Sequence, residues 1–223
     1  MTAFKCAIEE AGRKGAERCK KVCPSCAKHQ GDVRIETVME TFDGFYFDFD
    51  HVRPEDICLI DIATALSTQT RFGGHIKRFY SIAEHAVRVS NYVADAGGDA
   101  ELQLAALHHD SHEAYIGDIP TPMKRWFEKH GSGPLLSDLA DQIDGAIAIA
   151  LGVPSHLFHD PLVKKADIDA LYREAATLKK SKGVGVQWGT TEAAKRLRLA
   201  GLMPAAAIEL FLDRHKELMA ACS

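Results

Sequence analysis

No stretch of the 223 residues strings together the ~18 apolar side chains that a bilayer-spanning helix requires. The first residues, with Glu9, Glu10, Arg13 and Lys14 among them, lack the apolar core of a secretory leader. A basic excess is missing too. Lys and Arg number 27 against 31 Asp and Glu, a formal charge of −4, which is the wrong sign for non-specific binding along a nucleic-acid backbone. Internal repeats and low-complexity tracts are absent. These absences lead us to expect a cytoplasmic protein with no membrane partner and no stable nucleic-acid partner, while leaving small nucleotides open as ligands. With 46% hydrophobic residues the chain is long enough for one substantial core.

Cysteine is scarce and uneven. Of six, three lie in Cys19-Lys-Lys-Val-Cys23-Pro-Ser-Cys26, and without a leader a disulfide framework is not expected. Cys19, Cys23, Cys26 and His29 could hold a structural zinc ion. A complete zinc knuckle usually brings two separated pairs, so free thiols on an appended helix stand beside that reading. Residues 1–32 are therefore expected to form a Cys-containing N-terminal extension, and 33–223 the main domain.

From Ile35 to Phe49 the chain turns β-branched and aromatic around Asp43-Gly44, a two-residue hairpin signal, and this is expected to be the only sheet. The rest reads as helices. Ile57 to Leu66 is a short one. Thr70-Arg71-Phe72-Gly73-Gly74-His75 interrupts the pattern, since paired glycines free the backbone near whatever Arg71 approaches. Ser81-Ile82-Ala83-Glu84 is a capping box, and His85 falls on the inward stripe of Ile82, Ala86, Val89 and Val93. Pro134 to Leu151 is amphipathic through Leu135, Leu139, Ile143 and Ile147, with Asp138, Asp141 and Asp144 expected on a solvated face. Asp160-Pro161 opens a helix to about Lys180, on which Asp167 shares a stripe with Val163, Ala170, Leu171 and Leu178, and Glu174 falls near it. A glycine-rich loop, 183–189, leads to a helix after Thr190 or Thr191, and Pro204 to Ala220 forms the last helix.

The densest chemistry is His108-His109-Asp110-Ser111-His112-Glu113-Ala114-Tyr115-Ile116-Gly117-Asp118. Capped at Asp99, the preceding residues read as a helix running to Gly117. At ~100° per residue, His109, Asp110 and Glu113 share one arc with Leu102 and Ala106, so polar groups continue a face that must be buried. Burying them is costly unless a charge or hydrogen bonds satisfy them, and a divalent metal would do so. His108 and His112 point off that arc and are assigned supporting roles. Beyond Asp118, a tight connector, Thr121 can cap the next helix with Pro122 in its first turn.

Three inward positions on separate helices, His85, His109-Asp110 and Asp167, make a two-histidine, two-carboxylate set suited to one divalent transition metal, Co²⁺, Mn²⁺, Zn²⁺ or Fe²⁺. That order resembles the H…HD…D signature of the HD-domain metal-dependent phosphohydrolases. Thr70-Arg71-Phe72, His109-Asp110-x-x-Glu113 with Gly117-Asp118-Ile-Pro-Thr-Pro-Met-Lys124, and Val163-Lys164-Lys165-Ala166-Asp167 are similar to the bacterial 5′-deoxynucleotidases and the viral dATP triphosphohydrolases. The resemblance covers about residues 40 to 180.

The resemblance implies an all-α HD-domain bundle, with the hairpin and the cysteine extension added at its N-terminal side. It implies His85, His109, Asp110 and Asp167 as metal ligands, Glu113 and Asp118 as catalytic carboxylates, and Arg71, Phe72, Lys124 and Lys164 as substrate contacts. Phe72 stands where relatives often carry Trp; a phenyl ring can stack and exclude a ribose hydroxyl by bulk but offers no indole donor. The implied partner is a small-molecule deoxynucleotide, and the implied assembly a homo-oligomer. The expected activity is a 5′-deoxynucleotidase acting on deoxynucleoside monophosphates. The alternatives are a dNTP triphosphohydrolase releasing tripolyphosphate, an alarmone hydrolase and a non-catalytic metal- or nucleotide-binding module.

Overall fold

The computed structural model describes residues 36–181 and 199–222. The cysteine cluster with His29, the 183–189 loop and the helix after Thr190 or Thr191 lie outside the described residues. The expected all-α class is what the structure has: among the described residues it is mostly helical, with one small antiparallel hairpin near the N-terminal side.

The hairpin pairs β1 (Val38–Glu40) with β2 (Tyr46–Asp48), Met39 opposite Phe47. Its connection is longer than the expected two residues. Thr41 donates to the Phe45 carbonyl, Gly44 returns to Thr41 with φ of 82°, and Asp43 N–H donates to Asp61 Oδ1 at 2.8 Å. The turn is thus set by docking onto α1 (Leu59–Thr68), while Phe47 enters the core.

The centre of the bundle is α2 (Ile82–Asp95), packed against α1, α3 (Ala100–His108), α7 (Pro161–Leu178) and the terminal α8 (Pro204–Ala221). Ser81 caps α2 by accepting the Glu84 N–H at 3.1 Å. Glu84, however, does not close the expected capping box. Its buried carboxylate takes the N–H groups of Ala200, Gly201 and Leu202 at 2.8–3.0 Å, anchoring the chain that leads into α8.

The helix expected from Asp99 to Gly117 divides into α3 and the single turn α4 (Glu113–Ile116). Between them the backbone bonds run three residues apart: Ser111 N–H to His108, Glu113 to Asp110, Ala114 to Ser111 and Tyr115 to His112. Further on, α5 (Thr121–Lys129) has Pro120, not Thr121, at its cap. It leads into α6 (Gly133–Leu151), which anchors through Ile143 and Ile147 while Leu135 is exposed. Asp144 departs from the expected solvated face and is buried. No helix among the described residues is long and apolar enough to cross a membrane.

Candidate metal centre

His85 is fully buried on the inward face of α2. Its Nδ1 meets Glu174 Oε1 at 2.7 Å, and because a carboxylate only accepts, Nδ1 carries the hydrogen and Nε2 is left as a lone pair. His109 is fixed the same way, with Nδ1 donating to the Ala106 carbonyl at 2.8 Å. Neither Nε2 has a hydrogen-bond partner. Asp110 Oδ2 lies 3.2 Å from His109 Nε2 and 3.6 Å from His85 Nε2, and Asp167 Oδ1 lies 3.8 and 3.2 Å from the same atoms.

One ligand atom from each of the four residues falls within 4.8 Å of the others. Lone pairs facing carboxylates repel unless a proton or a cation lies between them. Burial by itself would depress the His109 pKa, but Asp110 and Asp167 drive it well above its usual value. The His85 pKa rises more modestly, since burial and Arg71 oppose Glu174 and Asp167. Both facing carboxylates are held below their ordinary range, against burial, by the same imidazoles. The group can therefore hold a metal ion, which would take the place of those protons and satisfy both bare nitrogens.

The tight turn after α3 brings the next carboxylate into place. With three residues per turn, positions i and i+3 eclipse, so Glu113 follows Asp110 on one face. Glu113 is 2% exposed; its Oε1 lies 3.8 Å from Lys124 Nζ and its Oε2 has no partner. Burial, then Asp110 and Asp118, push its pKa well up against the pull of Arg71 and Lys124.

Arg71, expected to contact substrate, is surrounded by carboxylates. Its guanidinium is buried, 3.3 Å from Glu174 and 3.8 Å from both Asp110 and Asp118. Burial would lower its pKa, but these carboxylates outweigh that and raise it. Phe72 adopts a left-handed conformation (φ 59°, ψ 28°), rare for a bulky residue, and its N–H donates to Asp118 Oδ2 at 3.2 Å. Lys179 Nζ lies 4.4 Å from the centre of its ring.

A cleft of about 330 Å³ opens onto the ligands, with His109, Asp110, Asp167, Lys124 and Lys164 in its lining. Ile116, Leu136, Phe158 and Val163 give it an apolar side. Arg71, Phe72, Glu113 and Asp118 lie outside that lining; Arg71 and Glu113 adjoin Asp110, and Asp118 adjoins Arg71 and Phe72.

Two partners escaped sequence reasoning. Glu174 orients His85 and pairs with Arg71, and its proximity to the α7 stripe was the only signal. Asp144, on α6 in the cleft lining, accepts from His112 Nδ1 at 3.1 Å. His108, buried, bonds Ser111 Oγ at 2.8 Å and His215 Nδ1 of α8 at 2.9 Å.

No family model matches the chain. It is 35% identical over 108 residues to an uncharacterized protein of Rhodobacter capsulatus, covering 47% of this chain and 53% of that protein. To the uncharacterized protein YfdR of Escherichia coli strain K12 it is 35% identical over 185 residues, covering 81% of this chain and 94% of YfdR. With identity of that order over nearly all of YfdR, the chain belongs to the YfdR family.

Proposed function

We propose that this protein is a metal-dependent phosphohydrolase of deoxynucleotides that releases orthophosphate from deoxynucleoside 5′-monophosphates. The observation that carries the reading is the pair of unpartnered imidazole nitrogens facing two carboxylates, with the bare Oε2 of Glu113 following Asp110 on the same turn. The resemblance to the HD-domain phosphohydrolases supports the choice of substrate class.

His85, His109, Asp110 and Asp167 hold the ion, one of Co²⁺, Mn²⁺, Zn²⁺ or Fe²⁺ by donor type. Bound there, it supplies Lewis acidity towards a phosphoryl oxygen and lowers the pKa of a water. Glu174 and the Ala106 carbonyl fix the tautomers of the two histidines. Glu113 receives the proton of the attacking water, and Asp118, held by the Phe72 N–H, orients the reacting oxygen. Lys124 and Lys164 in the cleft offset phosphate charge. Arg71 holds Asp110, Asp118 and Glu174 in register.

Two lysines in the cleft, with Arg71 committed elsewhere, suit a monophosphate better than a triphosphate, and the cleft's size matches the lower end of small-molecule sites, ~300 Å³. The test is an assay of purified protein with Mn²⁺ or Co²⁺ against deoxynucleoside mono- and triphosphates, with products resolved by chromatography. Orthophosphate from monophosphates is expected. Tripolyphosphate would replace the reading with a triphosphohydrolase, and bound metal without turnover would replace it with a binding module.

A further inference from the structure

His112, Glu113 and Asp110 form a second group whose ligand atoms all lie within 4.8 Å of one another. Two features set it apart from an ordinary acidic cluster. The Glu113 Oε2 is unpartnered on a side chain only 3% exposed, and Asp110 is common to this group and to the first. From α6, Asp144 holds His112 Nδ1 in the carboxylate–imidazole arrangement that orients metal-ligating histidines.

The charges point the same way. Asp110, Glu113, Asp118, Asp144, Asp167 and Glu174 converge here, while Arg71 and Lys124 lie 3.3–3.8 Å from members of the group. The six carboxylates outnumber the three cations beside them, Arg71, Lys124 and the cleft lysine Lys164. Desolvated carboxylates left without a counter-charge are costly.

We propose that Asp110, His112 and Glu113 form a second divalent-cation site, sharing Asp110 with the first and oriented by Asp144, with one Glu113 oxygen on the ion and the other left to accept the proton. This rests on the metal-dependent reading above. One imidazole with two carboxylates is a harder donor set than the first site's, and favours Mn²⁺ or Fe²⁺. A second ion held beside the first would supply positive charge to the same phosphoryl group.

The test uses the full chain, stripped with a chelator and titrated with Mn²⁺, which thiolates do not favour, so that Cys19, Cys23 and Cys26 do not enter the count. Bound metal is measured by equilibrium dialysis and spin coupling by electron paramagnetic resonance, both without nucleotide. Two Mn²⁺ per chain with an exchange-coupled spectrum are expected. His112→Ala should retain one ion and lose the coupling. Asp144→Asn, which leaves every proposed ligand in place, should weaken the second ion by ~10–100-fold with the first unchanged. A single Mn²⁺ at saturation, or coupling that survives in His112→Ala, overturns the second site. Failure to hydrolyse nucleotides while two coupled ions are bound would instead strike the proposed function and leave this site standing.

Discussion

Replacing Glu174 with Gln separates orientation of the metal ligand from plain structural support. The carboxylate accepts from His85 Nδ1 at 2.7 Å and from Arg71 Nε at 3.3 Å, with no exposure to solvent. An amide keeps the size but removes the charge and can offer an oxygen to only one of the two donors. With a weaker acceptor at Nδ1, His85 Nε2 becomes a poorer ligand, and loss of such a partner typically costs ~10–100-fold in metal affinity, about 1.4–2.7 kcal/mol. Stability should fall as well. Breaking a buried ion pair costs ~3–5 kcal/mol, and Arg71 keeps Asp110 and Asp118 at 3.8 Å, so the lower end applies. For a chain of this size, ~3 kcal/mol lowers Tm by roughly 6–12 °C. Affinity is read by Mn²⁺ titration at a temperature where the variant is folded, and Tm by calorimetry in chelator. A drop in Tm with unchanged affinity would refute the orienting role and leave Glu174 a structural partner of Arg71. No change in either would mean that neither pairing matters in solution.

Asp110→Ala should lose metal and activity together, and normal metal content with full turnover would remove Asp110 from the centre. Glu113→Gln should keep the ion held by His85, His109, Asp110 and Asp167 yet lower turnover by ~10²-fold or more; undiminished turnover would exclude it as the proton-transfer group. His215 gives a pH prediction. Burial lowers its pKa from 6.5 to about 4, so the unfolded chain takes up the proton first. The stability it contributes is complete above pH ~6.5 and is lost as pH falls towards 4, a change of roughly 3 kcal/mol. Urea unfolding of chelated protein between pH 7.5 and 4.5 should therefore be steeper in pH for the native chain than for His215→Gln, and equal slopes would dismiss the assignment.

The helices were legible because each rests on local signals. Ser81 before Ile82 and Asp160 before Pro161 are caps in the structure as in the sequence, and the stripe of Ile82, Ala86, Val89 and Val93 turned His85 inward. What failed was chemistry with a distant partner. Glu84 read as half of a capping box, yet its carboxylate is taken by the backbone of residues 200–202, more than a hundred positions away. Asp144 read as one of three acids on a wet face until His112 came opposite it. The two-residue hairpin turn gave way to a longer loop once Asp61 claimed the Asp43 N–H.

The four candidate ligands could be proposed from sequence because each interrupts an apolar pattern, and a buried polar group announces its cost. Of their supporting partners only Glu174, near the α7 stripe, carries a trace of that mark, and the turn at His109 and Asp110 carries none. A regular α-helix would set Asp110 and Glu113 about 60° apart, whereas the three-residue bonding from His108 to Tyr115 aligns them. That tight turn has its own brace. Ser111 donates its N–H to the His108 carbonyl while its hydroxyl meets His108 Nδ1, and His108 Nε2 meets His215 on the terminal helix. The last helix, which lies outside the stretch that resembles the HD-domain phosphohydrolases, is thereby tied to the residues that carry His109 and Asp110. The candidate centre is therefore a property of the whole bundle, with α2 and α7 supplying candidate ligands and α8 bracing the turn between them.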